Sequence, residues 1–187
     1  MAVDTSQFRN GLKIELDGEP FIIVFFQHVK PGKGGAFVRT KVKNLKTGRL
    51  LDRRFRAGEK VELAEVEDRK MQYLYQDGDQ LVFMDGESYD QIPFSREQVG
   101  DARQYLKENL DVDVLFYRGK PINIELPAFI EATVTECEPG MKGDTASGAT
   151  KPATIETGAT IQVPLFIKEG ETIRVDTRSG VYVERVG

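Results

Sequence analysis

Apolar and polar residues alternate with a period of two along most of the chain, which predicts strands rather than helices. Leu12–Leu16 (LKIEL) alternates and stops at Asp17-Gly18, a hairpin turn pair. A β-branched and aromatic run, Phe21–Val29, follows and ends at Lys30-Pro31-Gly32. Ala36–Leu45 alternates almost perfectly, with Phe37, Arg39, Lys41 and Lys43 on one parity and Val38, Thr40 and Val42 on the other. Three cations on one strand face suit a phosphate backbone. Thr47-Gly48 turns the chain into a second basic run, Arg49–Arg56. A small curled barrel is the expected packing of this first segment.

Met71–Asp85 predicts two strands around Asp77-Gly78, the strongest hairpin signal in the chain. Arg96–Leu110 predicts a helix: Val99, Ala102, Leu106 and Leu110 fall near helical spacing, and Ser95 with Gln98 forms a capping-box pair. Val112–Tyr117 and Pro121–Leu126 follow, either side of Arg118-Gly119. Strands around one helix suit an OB-type barrel. Past Pro127, Phe129–Glu138 reads as a strand, a Gly- and Pro-bearing loop runs to Pro152, and turns at Glu169-Gly170 and Ser179-Gly180 separate further strands. This predicts a third small barrel, and an all-β chain of three domains: 1–64, 65–127 and 128–187. The missing βαβ alternation argues against a doubly wound nucleotide-binding fold.

Charge divides the same way. The first segment has 13 basic and 7 acidic side chains (net +6), the second 7 and 14 (net −7), and the third 6 and 9 (net −3). The overall −4 excludes a uniformly basic nucleic-acid binder, but the positive segment can approach phosphate. Single Cys and His residues, Cys137 and His28, argue against a disulfide framework, a Cys-rich zinc cluster and a His-based metal site. No cofactor or metal is expected. Charges within the first 30 residues interrupt a signal-peptide pattern, and Phe21–Phe26 is too short to span a bilayer, so a soluble cytoplasmic protein is expected.

Candidate chemistry is sparse. Lys33 lies in Pro31-Gly32-Lys33-Gly34-Gly35, where flanking glycines leave its ammonium uncrowded at the tip of an exposed loop. Such a Lys suits a probe for a narrow site or a target for a modifying enzyme, although the pattern alone favours a plain solubilising loop. Gly143–Lys151 fails as a phosphate loop because Ala149, not Lys, follows Gly148. Cys137 sits between Glu136 and Glu138, which disfavour its thiolate, and reads as structural. His28 has no partner in the pattern and reads as packing. No triad can be assembled, so no enzyme is expected.

The loop Lys30–Phe37 (KPGKGGAF), the hairpin Met71–Asp85 and above all Pro139–Val186 resemble bacterial elongation factor P. In the last stretch Lys151, Ala153, Gly158, Val163-Pro164, Ile167 and Gly170 fall at the family's spacing. The resemblance covers essentially the whole chain. It implies an N-terminal KOW/SH3-like barrel followed by two OB folds in an L shape. It further implies a monomeric translation elongation factor that binds the ribosome and its rRNA beside the peptidyl-site tRNA and relieves stalling at consecutive prolines. Lys33 matches the family's modified tip, which implies a Lys-modifying enzyme as partner; initiation factor 5A carries hypusine at the equivalent tip. Gly143, Asp144 and Thr145 match a loop expected near mRNA, and Tyr182 and Arg185 match positions associated with ribosome binding. The elongation factor P-like paralogue lacks the DTRSG stretch that is intact here as Asp176–Gly180. A general single-stranded RNA-binding OB protein is the other class, and the negative second and third segments argue against it.

Overall fold

The computed structural model describes residues 1–140 and 148–187. Among the described residues the chain forms three antiparallel sheets. The first takes β1 (Ala2–Asp4), β2 (Lys13–Leu16), β3 (Glu19–Val29), β4 (Phe37–Asn44), β5 (Leu50–Arg56) and β6 (Lys60–Leu63) in the order β1-β6-β2-β3-β4-β5. The second takes β7 (Val66–Asp77), β8 (Gln80–Asp85), β9 (Gln91–Ser95), β10 (Asp111–Tyr117) and β11 (Lys120–Glu125) in the order β11-β10-β7-β8-β9. The third takes β12 (Phe129–Cys137), β13 (Thr150–Ile155), β14 (Thr160–Pro164), β15 (Thr172–Asp176) and β16 (Val181–Val186) in the order β14-β13-β12-β15-β16. The all-β expectation holds.

The chain divides into two compact units, Met1–Asp68 with Leu115–Asn123, and Arg69–Val114 with Ile124–Gly187. In the first unit the core is made by inward residues of β1 to β4 and β6, to which β5 adds Phe55 alone. Ile14, Ile23, Val38 and Val42 are fully buried, and Phe8 meets Phe55 edge-on at 5.3 Å between ring centroids. The segment 115–123 docks on this barrel through polar contacts. The Tyr117 hydroxyl lies 2.6 Å from a Glu15 carboxylate oxygen, Arg118 pairs with the same carboxylate, and the Lys46 ammonium lies 5.5 Å from the Tyr117 ring centroid. Burial, then the bond to Glu15, raises the Tyr117 phenol above its ordinary pKa.

In the second unit Phe83 stacks on Phe94 at 4.7 Å and is tilted against Tyr73 at 5.3 Å. A separate cluster centred on Ala132, Val163, Ile167, Ile173 and Val175 forms the core of the third sheet.

The expected helix over Arg96–Leu110 is not there. The capping box is: Ser95 accepts from the Gln98 N–H, and Gln98 accepts from the Ser95 N–H. Yet the α-helix spans only Arg96–Val99, because Gly100 turns to φ 61 and ψ −142. A 3-10 stretch, Gly100–Tyr105, follows, and Leu106 is extended. The apolar residues of this stretch serve another purpose. Tyr105 and Leu110 pack against the third core, the Thr157 hydroxyl donates to the Gln104 carbonyl at 2.5 Å, and the Lys107 ammonium donates to the Glu131 carbonyl at 2.6 Å.

Candidate functional site

The site is built on the hairpin of β3 and β4. Pairing runs to Val29 opposite Phe37, and the loop between these residues carries Lys33. Lys30 to Ala36 are all exposed. Gly34 has φ +94, a conformation that favours glycine, so it sets the turn beside Lys33. A methyl on Gly32 or Gly35 would meet nothing within 4 Å, so the loop stands clear of its own barrel. Among the described residues no hydrogen bond or ion pair restrains the Lys33 ammonium. Pro31 fixes one φ on the way in and supplies no N–H to the hairpin ladder.

Below the tip, β4 keeps the alternation read from the sequence. Val38, Thr40, Val42 and Asn44 point inward, and Arg39, Lys41 and Lys43 are exposed. Thr40 is buried but satisfied, donating to the Arg53 carbonyl at 2.9 Å. Register then adds residues that the sequence pattern had not brought into the site. Arg39 stands opposite Arg54, Phe37 opposite Arg56, and Lys43 opposite Leu50. On the other side Gln27 faces Arg39 and Phe25 faces Lys41. Directly paired residues of antiparallel strands share a sheet face. Arg39, Lys41, Lys43, Arg54 and Arg56 therefore share one predominantly cationic face, with the exposed Asp52 opposite Lys41 and with Phe25 and Leu50 exposed among them. The Arg54 guanidinium lies 5.0 Å from the Phe37 ring centroid. None of these five side chains makes an ion pair among the described residues. A signal for the two added arginines exists in the sequence: Arg54 and Arg56 alternate about Phe55, which is fully buried.

Gly143, Asp144, Thr145, Tyr182 and Arg185 belong to the third segment of the chain. Gly143, Asp144 and Thr145 lie outside the described residues. Tyr182, on β16, is half-buried against the third core. Arg185 pairs with Glu171 at 3.6 Å and lies 5.5 Å from the Phe166 ring centroid. His28 is an exposed strand residue set edge-on to Phe26 at 5.9 Å. Cys137 is a half-buried free thiol, its sulfur 3.6 Å from the Ile167 carbonyl. Among the described residues no helix is long and apolar enough to cross a membrane.

Three family models divide the chain between them. The elongation factor P KOW-like domain matches residues 4–61, the elongation factor P OB domain matches 66–124, and the elongation factor P C-terminal domain matches 130–185. The chain belongs to the elongation factor P family. Elongation factor P of Moorella thermoacetica is 57% identical over 183 residues, covering 98% of this chain and 99% of that one. Elongation factor P of Natranaerobius thermophilus is 55% identical over 184 residues, covering 98% of each. Among solved structures, an initiation factor 5A from Methanococcus jannaschii is similar with a TM-score of 0.53 and 24% identity, over 65% of this chain and 90% of that one. That likeness is one of fold. Membership of the elongation factor P family makes the chain a translation elongation factor, and places the Lys33 hairpin and its cationic face in the KOW-like domain.

Proposed function

We propose that this factor acts in the cytoplasm as a monomer, binds the ribosome beside the peptidyl-site tRNA, and speeds peptide-bond formation when consecutive prolines are joined. The reading takes the three domains as 1–64, 65–127 and 128–187. The observation that carries it is an unrestrained Lys33 at the open end of a hairpin whose outer face carries five cations. Arg39, Lys41 and Lys43 contact tRNA phosphates, which fix register without reading sequence. Lys33, lengthened by an amino-alkyl group that a modifying enzyme adds, reaches toward the aminoacyl end. Gly32, Gly34 and Gly35 keep the approach narrow. In the third domain Gly143, Asp144 and Thr145 approach mRNA, and Tyr182 and Arg185 support ribosome binding.

The chemistry is positioning. Proline's ring fixes φ and leaves the nascent chain badly placed for attack. Holding the reactants near attack geometry lowers the barrier without any bond being made by the factor itself. A tenfold gain in rate needs only about 1.4 kcal/mol, within the range of one or two ordered hydrogen bonds. The bond chemistry stays with the ribosome, so the factor is not an enzyme in its own right.

Lys33→Ala tests the reading. The variant keeps the melting temperature of the wild type, because nothing packs on Lys33, and loses rescue of a reporter with consecutive prolines. Normal rescue by Lys33→Ala would remove the loop from the mechanism.

A further inference from the structure

Three turns share one backbone design. In each, an Asn or Asp ends a strand: Asn44 on β4, Asp85 on β8 and Asp176 on β15. Its side-chain oxygen accepts from the N–H groups two and three residues ahead. Its carbonyl accepts from the N–H of the fifth residue, at 2.8 Å from Gly48, 3.0 Å from Tyr89 and 2.8 Å from Gly180. That fifth residue is left-handed, with φ +76 at Gly48, +62 at Tyr89 and +72 at Gly180. Two of the three turns place glycine where the backbone favours it. The third places a tyrosine.

Tyr89 is unlike the other non-glycine residues with positive φ. Asp17 and Arg118 each precede a glycine in a two-residue hairpin turn, and Asn109 is of a type that tolerates the region. A tyrosine there carries backbone strain, and folding returns little for it, since the residue is 70% exposed. Among the described residues its ring and hydroxyl meet no cation, no ring and no hydrogen-bond partner. The turn beneath it is firmly built. Asp85 is buried, bonded to the Glu87 and Ser88 N–H groups and 3.9 Å from Arg69, and the Gly86 N–H donates to the Lys70 carbonyl at 2.9 Å. Two exposed carboxylates, Glu87 and Asp90, flank the ring in sequence and make no ion pair among the described residues.

We infer that Tyr89 is a docking residue for a protein segment bearing Lys or Arg, which lays its cation on the exposed ring and is drawn there by Glu87 and Asp90. An aromatic face attracts a guanidinium or ammonium, and nearby carboxylates strengthen the attraction. The surrounding segment, net −7, repels a phosphate backbone, so a base stacking on the ring is the disfavoured occupant. Strain at an exposed aromatic is the mark of a side chain kept for contact rather than for folding.

The test needs no ribosome and so stands apart from the function proposed above. The full-length protein is titrated with the peptide Arg-Gly-Arg-Gly-Arg while the Tyr89 ring resonances are followed by NMR. A Gln-for-Arg peptide and a single-stranded oligonucleotide serve as comparisons. The ring resonances shift saturably with the Arg peptide alone. Tyr89→Gly raises the Kd about two- to fivefold, as loss of an exposed cation–π contact predicts, and Tyr89→Phe keeps it. The Gly variant melts no lower than the wild type. A fall in its melting temperature would give Tyr89 a packing role and overturn the inference. So would an unshifted ring, an unchanged Kd, or a shift with the oligonucleotide instead.

Discussion

Asp85 and Asp176 close their turns as carboxylates, and this ties stability to pH. Backbone N–H groups, of Glu87 and Ser88 at Asp85 and chiefly of Arg178 at Asp176, hold each carboxyl below its ordinary 3.8. Asp4 is lowered too, chiefly by the Ser6 hydroxyl. A depressed folded-state pKa stabilises the fold above the unfolded value, and that contribution is lost as pH falls through the folded one. The melting temperature should therefore be flat with respect to these groups above 3.8 and fall below it. Asp85→Asn with Asp176→Asn keeps an oxygen acceptor in each turn and removes the charge. Thermal melts at decreasing pH should show a shallower decline for that double variant. Turn chemistry of this kind is legible: Thr47-Gly48 and Ser179-Gly180 mark two of the turns by composition alone. Asp85-Gly86 marks the third as well, but not its left-handed residue, because Tyr89 carries no turn signal and its conformation is set by Asp85 four residues earlier.

At the scale of elements, the sequence pattern is a sound guide to strands and a poor one to the single helix. Strand alternation is enforced by burial on one face, as β4 shows at every position. The helix has the right cap and the right spacing, but one residue outweighs both. At φ 61 and ψ −142 Gly100 occupies a conformation that side chains oppose. Gly100→Ala removes a weak helix former and so, on propensity alone, should extend the helix. The structure predicts the reverse. The Ala variant should lose about 1–3 kcal/mol of stability, the cost of one such backbone conformation, with no gain in helical circular dichroism. Gly180 gives a companion case. A Cβ there would lie 2.8 Å from the Tyr105 hydroxyl, and φ is +72. Gly180→Ala should be destabilising in denaturant melts, and Tyr105→Phe in the same chain should recover the steric part but not the backbone part. The docking of Tyr105 and Leu110 on the third core is what no local pattern announces, since their apolar spacing reads the same whichever core receives it.

Over the whole molecule, charge is the property that the amino-acid order makes plain and the fold then arranges. Segment totals of +6, −7 and −3 follow from counting. That five cations share one face depends on the register of β4 with β5, which counting cannot supply. The pairing sets Arg39 against Arg54, and like charges directly opposite on a sheet are destabilising. A surface that keeps such a pair works against its own stability. Arg39→Gln should therefore raise the melting temperature slightly at low salt, and the gain should vanish at high salt, where surface charges are screened. The same substitution should weaken binding to tRNA-bearing ribosomes. Removing one phosphate contact makes the slope of log K against log salt shallower by roughly 0.7–0.9. Gln at Lys41, Lys43 or Arg54 should reduce it by a similar step, whereas Asp77→Asn or Asp79→Asn in the acidic segment should leave it unchanged. Stability and binding then move in opposite directions at Arg39, which sets a phosphate contact apart from a solubilising charge: replacing a solubilising charge would leave the salt slope where it was. An unaltered slope at all four cationic positions would take the outer face of this hairpin out of RNA recognition and leave Lys33 to be positioned by contacts made elsewhere in the chain.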